Sequence, residues 1–444
     1  MENIQIKSFF DRLNESISQS ITFKLISIGI LVLLLLIPKS MINSLILERE
    51  QRMHNTVREV TDKWSRRQTV SGPILTIPYK KYLLTEDKKN IKETTRYATF
   101  LPEQLHIETN IVPEERYRGI FKVIVYKAQL SIKGKFPKPD FSVWDIDEKD
   151  ILWSKATLNI GISDLRGIEQ QVSLKQKNLN KAFQPGTSES SLFNSGIHIP
   201  LQESLQQFID TDFSIDISLK GSEELFFVPL GKNTEVKMTS SWKDPSFIGS
   251  FLPEREIDQD GFRASWQILH FNRNYPQSWA TAHYDINESK FGVNLLVAAD
   301  HYQKSLRTSK YAILIITLSF LMFFLIEVTQ KLRIHAFQYI LIGLALMIFY
   351  TLLLSISEHL GFNIAYWISG ISVIGLISFY SSSVLNNKRL SYLLAGSLSM
   401  IYGFLFIIIQ IETYALLVGS IGLFIILALT MYFTRKISWY RSNN

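Results

Sequence analysis

The amino-acid sequence predicts a polytopic α-helical membrane protein, with six transmembrane helices and a large β-rich, sandwich-like domain inserted between helices 1 and 2. Three observations predict it. Charge is segregated: residues 311–444 hold only ten of the 47 basic and 40 acidic side chains. That last third is built of uncharged runs over 311–326, 336–357, 360–387, 390–411 and 413–434, long enough to cross a bilayer core of about 30 Å once the first borrows flanking residues. Between the N-terminal apolar run and this block, the texture changes to short apolar–polar alternation between turn residues. A purely soluble protein is excluded.

Taken in order, residues 1–20 form a cytoplasmic amphipathic segment. Ile6, Phe9 or Phe10, Leu13 and Ile17 share one face of a short helix, lying on the membrane surface or packing on the rest of the protein. Transmembrane helix 1 covers 21–47, around the run from Leu25 to Ile37, bounded by Lys24 and Pro38-Lys39. The long stretch before it and the lack of an A-x-A after it mark an uncleaved anchor, not a signal peptide. Residues 48–71 continue as a helical extension, with Val57, Val60 and Trp64 at helical spacing among charges, and Gly72-Pro73 ends it.

The β-rich domain spans 72–305. Runs such as 74–79, 105–112, 121–136, 213–221 and 235–242 alternate apolar and polar residues, as half-buried antiparallel strands do. Gln184–Ser195 is the most loop-like stretch. A five-helix bundle follows over 306–436 (about 309–328, 337–357, 362–385, 390–411 and 413–434), with a cytoplasmic tail at 437–444. Orientation comes from the loops. Lys331 with Arg333, Lys388 with Arg389, and Arg435, Lys436 and Arg441 mark one side, whereas Glu358-His359 and Glu412 mark the other. The positive-inside rule then puts both termini in the cytoplasm and the β-rich domain outside.

Chemistry is sparse. Zero cysteines excludes disulfides and thiolate sites, and no basic stripe with interleaved aromatics suggests nucleic acid. Ser240-Ser241-Trp242-Lys243 matches S-x-x-K, but it follows a strand-like run and has no K-T-G or S-D-N partner, so it reads as strand-to-turn. Eight scattered histidines form no H-x-x-x-H, and no Walker-type, G-x-S-x-G or G-x-G-x-x-G motif occurs, so no catalytic, metal or cofactor residues are expected. Glu114-Glu115 and Glu223-Glu224 read as solvated loop charges. Within the bundle, Glu327 lies near one span's cytoplasmic end. Glu358 and His359 at the outer mouth of the next could titrate or bind an ion, against the plainer reading of a wet interfacial pair. Gly343, Gly396, Gly403, Gly419 and Gly422 would allow close helix approach.

Several segments carry a family resemblance: SGPILTIPY (71–79), SDLRGI (163–168), GIHIPL (196–201), TSSWKDPSFIGSFLP (239–253), the block 309–367 and ISWYR (437–441). Together they resemble the CreD family, inner-membrane proteins of Gram-negative bacteria linked to cell-envelope integrity, over about residues 21–441. The resemblance implies a multi-pass protein of the bacterial inner membrane. It also implies an envelope-stress role, altered colicin sensitivity and a two-component system associated with β-lactam response. It supplies no catalytic residue. Gly72, Pro73, Trp242, Pro245, Phe247 and Pro253 stand at its recognisable motifs. The expected partners are the lipid bilayer and a periplasmic envelope component, peptidoglycan or an envelope protein. The rival to a non-enzymatic envelope factor is a transporter or flippase-like bundle whose outer domain receives substrate.

Overall fold

The computed structural model describes residues 21–435 except 85–90, 177–178, 188–191, 296–299, 331, 333, 386 and 412–413. The amphipathic N-terminal segment, the C-terminal tail and the orienting residues Lys331, Arg333, Glu412, Lys436 and Arg441 lie outside the described residues. The chain divides into two compact units, His54–Ala298 and the remainder.

The first helix, α1 (Ile21–Trp64), runs unbroken for 44 residues with Pro38 inside it. At 1.5 Å per residue that is about 66 Å, twice the thickness of a bilayer core. The apolar run accounts for its first half. Beyond it, Glu48–Arg52, Glu59–Lys63 and Asp62–Arg66 pair at i,i+4 over 2.6–2.8 Å and support the charged half. The helix ends at Trp64, not at Gly72-Pro73 as the sequence suggests. From Gln68 the backbone is taken into a sheet ladder, which competes for the donors that a longer helix would have used. Gly72-Pro73 lies inside that strand, at the register shift between Ser71 and Ile74, and the peptide is cis.

Unit His54–Ala298 holds two sheets. The first is ordered Ser246–Gly249, Phe291–Asn294, Glu224–Phe227, Gln68–Leu84, Thr157–Ile162, Gly196–Pro200, Gln184–Pro185, with Ile91–Phe100 also on Gln68–Leu84 and Ser278–Trp279 beside it. The second runs Glu254–Asp258, Gly261–Leu269, Asn233–Ser240, Gln104–Arg118, Phe121–Lys135, Asp212–Ser222, Ser173–Gln176, Leu179–Ala182. Buried side chains of both sheets, Ile74 and Leu158 from one and Ile107, Ile132 and Val236 from the other among them, join in one continuous core. Most pairings are antiparallel, but Gln68–Val70 runs parallel to Leu225–Phe227, and Gln104–Ile111 parallel to Asn233–Ser240. Alternation reports one-sided burial, not strand direction, so the sequence pattern could not separate the two. Glu114 and Glu115 lie on a strand, and Glu223 and Glu224 meet Arg67 at 2.8 and 3.3 Å instead of being solvated loop charges. Burial pushes the Glu224 carboxyl above its usual range.

The other unit contains α2 (Asp300–Lys310), α3 (Ala312–Gln330), α4 (Ala336–Leu360), α5 (Phe362–Leu385), α6 (Lys388–Gln410) and α7 (Ala415–Thr434). With α1, helices α3 to α7 are the six that are long and apolar enough to cross a membrane. The bundle interior is aromatic. Phe349 meets Tyr366 and Tyr402 edge-on at 5.3 and 4.8 Å, and Phe320 meets Tyr339 at 5.5 Å. Of the small residues, Gly343 and Gly422 permit close approach: a Cβ there would fall 2.4 Å from Leu35 and 2.0 Å from the Phe404 ring. Gly396, Gly403 and Gly419 face open space and do not serve that purpose.

Candidate functional site

Two polar clusters interrupt the apolar bundle, and a third joins α1 to the sheets. Glu358 sits near the C-terminal end of α4, its side chain 8% exposed. The buried Tyr302 hydroxyl of α2 donates to it at 2.9 Å, and Arg49 of α1 lies at 3.9 Å. Burial, and then the carboxylate, push the Tyr302 phenol well above its ordinary range, so it stays a donor. His359 is exposed, and no hydrogen bond to Glu358 is formed among the described residues. Of the two neighbours in sequence, Glu358 is thus engaged by Tyr302 and Arg49, and His359 faces outward. Adjacent helix residues point about 100° apart.

Glu327 forms a cluster that sequence reasoning did not assemble. It is buried, accepts the Ile334 backbone N–H at 2.9 Å and the Tyr339 hydroxyl at 3.1 Å, and is ion-paired with Lys24. A buried carboxylate demands such partners. Lys24, Glu327 and Tyr339 line a cavity of about 340 Å³ whose other walls include Phe23, Ile28 and Leu31. The one signal in the sequence was a carboxylate and an ammonium each placed at the margin of an apolar run.

The third cluster gives the SDLRGI segment its role. Asp164 accepts Arg66 N at 3.0 Å, Arg166 N at 3.1 Å and the Arg166 guanidinium at 2.7 and 2.9 Å. Arg166, with smaller help from the backbone donors, holds the Asp164 carboxyl down to about 2. The same arginine donates to the Asp62 carbonyl in the last turn of α1 at 2.6 Å, capping the helix. The buried Gln68 amide donates to Ser65 Oγ and to the carbonyls of Asp164 and Lys220. Gly167 is obligatory there, because a Cβ would fall 2.3 Å from Lys220 O. Trp64 completes the joint between the Arg116 guanidinium and the Lys220 ammonium, each 4.8 Å from its ring. Val57 and Val60 are half-buried and Thr61 is buried.

The 239–253 segment is an aromatic brace. Phe247 packs edge-on to Phe262 at 5.4 Å and Trp266 at 5.9 Å, and Trp266 Nε1 donates to Phe251 O. Trp242 leans on the core, its Nε1 donating to Asp244 O at 3.0 Å across the bend that precedes Pro245, and half-buried Pro253 leads into the next strand. Ser240 ends a strand, and its Oγ accepts Trp242 N at 3.2 Å. Lys243 is exposed. An S-x-x-K nucleophile would need the serine at a helix start with the lysine one turn on.

Six apolar helices, with a two-sheet β unit inserted between the first and the rest, define a polytopic membrane protein with one large intervening domain. The family model described as inner membrane protein CreD matches residues 20–440. Inner membrane protein CreD of Escherichia coli is 34% identical over 426 residues, covering 94% of this chain and 93% of that protein. The chain belongs to the CreD family.

Proposed function

We propose that this is a non-enzymatic inner-membrane factor that maintains the cell envelope under stress, with its β-rich unit in the periplasm and both termini in the cytoplasm. The observation that carries the orientation is charge asymmetry. Lys388 and Arg389 open α6 and Arg435 follows α7, while the alternate short loops carry Glu358-His359 and Glu412 and no lysine or arginine. The strand-end placement of Ser240, its hydroxyl already engaged by Trp242 N, supports binding over hydrolysis. The aromatic packing of Phe349, Tyr366 and Tyr402 favours this reading over a flippase-like bundle. The stress role follows the resemblance to envelope-integrity proteins.

Complementation of a deletion strain under colicin or β-lactam challenge tests it. Ser240→Ala and Lys243→Ala are expected to rescue as well as wild type. Trp242→Ala should rescue poorly, because truncating a half-buried indole costs about 2–3 kcal/mol, below the full-burial range. Loss of rescue by either small substitution, at normal protein level, would return the hydrolase reading.

A further inference from the structure

The second sheet presents a row of polar side chains in cross-strand register, apart from the three clusters that hold the helices. His106 pairs with Lys133, Lys133 with Ser214, Ser214 with Lys175, and Lys175 with Asn180. Their neighbours Leu105, Ile107, Ile132, Phe213 and Leu174 are buried in the core, so the row lies on the opposite, outward face. There it lines an open groove of about 790 Å³, with Gln104 and Asp212 along one side. Five strands at about 4.8 Å spacing make a row about 19 Å long, and that pitch is close to the length of one pyranose ring.

Two of the three basic groups are already matched: Lys175 to Asp216 at 2.9 Å and His106 to Glu235 at 3.0 Å. Lys133, at the second position of the row, forms no ion pair with a carboxylate among the described residues. The groove thus sets two ammoniums, Lys133 and Lys175, around the Asp216 carboxylate that both act on, with Asp212, amides and a hydroxyl alongside. Hydroxyls of a sugar satisfy the neutral and acidic groups, and an acidic substituent satisfies the Lys133 ammonium.

We propose that this groove binds an extended acidic saccharide, one anionic group seated at Lys133 and successive rings lying across the strands. The inference rests on the reading that the β-rich unit faces the periplasm, where such saccharides occur as carboxylated cell-wall glycan and as phosphorylated lipid-borne sugar. Binding in vitro is independent of orientation, so its failure is distinguishable from a failure of that reading.

The test uses full-length protein in detergent micelles, titrated calorimetrically with peptide-free carboxylated glycan strands, with a phosphorylated glucosamine disaccharide, and with a neutral chitin oligosaccharide of matching length. Saturable binding of either acidic probe is expected, and which one binds identifies the source. Lys133→Ala and Asn180→Ala should each weaken it at least tenfold, and Lys149→Ala, in an exposed 3-10 turn outside the groove, should leave it unchanged. All three positions are exposed, and unchanged melting temperatures check that the variants fold. Binding of neither acidic probe, equal binding of the neutral one, or acidic binding indifferent to Lys133→Ala would overturn the proposal.

Discussion

Asp164 shows how one carboxylate can hold a helix end and a loop together. Its folded value near 2 lies below the 3.8 of a free aspartate. A depressed carboxylate stabilises the fold above the unfolded value and loses that contribution as pH falls through the folded one. Solvent screening leaves about 1–2 kcal/mol of the full linkage. Asp164→Asn should therefore be less stable than wild type by about that amount at neutral pH. The gap should persist down to about pH 4 and close towards pH 2. Denaturant melts of both proteins across this range check it, and a gap independent of pH would mean that the charge of Asp164 is not what the arginine reads.

At the scale of elements, two contacts fasten elements that the sequence leaves far apart. Lys24 and Glu327 are separated by 303 positions and still pair. Leaving Glu327 buried without its ammonium should cost about 2–3 kcal/mol, under the ~3–5 kcal/mol of fully buried pairs, because Lys24 keeps 29% of its side chain exposed. Thermal unfolding in detergent should place Lys24→Met well below wild type and a Lys24→Met, Glu327→Leu double variant between them. A double variant no better than the single one would uncouple the two residues. The charged half of α1 makes the second contact. Val57 and Val60 are half-buried and Trp64 is held between two cations. A Val57→Asp, Val60→Asp variant places two carboxylates on that stripe, at about 1–3 kcal/mol each. Limited proteolysis of the β-rich unit should accelerate, and wild-type digestion rates would show the stripe to be dispensable.

For the whole molecule, the proposed orientation predicts a reporter pattern. Alkaline phosphatase fused after residues 180, 360 or 412 should be active, and after 334, 388 or 444 silent, because the enzyme matures only outside the cytoplasm. The reverse at any two sites would invert the topology and remove the periplasmic context from the saccharide groove.

What the sequence by itself determined is the class of protein and its sequence of parts. Uncharged runs of bilayer length, the jump in charge after Leu47 and the alternation through the middle are local patterns, and local patterns set helix and strand formation. They do not say which strand lies beside which. Only the tertiary structure decided that Gln104–Ile111 runs parallel to Asn233–Ser240, that α1 stops at Trp64, and that Arg166 reaches back to cap it. It also joined Glu327 to Lys24 and Glu358 to Tyr302. The physical reason is the same in each case. Register and helix rotation bring distant residues within hydrogen-bond reach, and neither leaves a periodic trace along the chain. His106, Lys133, Ser214, Lys175 and Asn180 are unremarkable singly, and they become a candidate binding row only when five strands place them side by side.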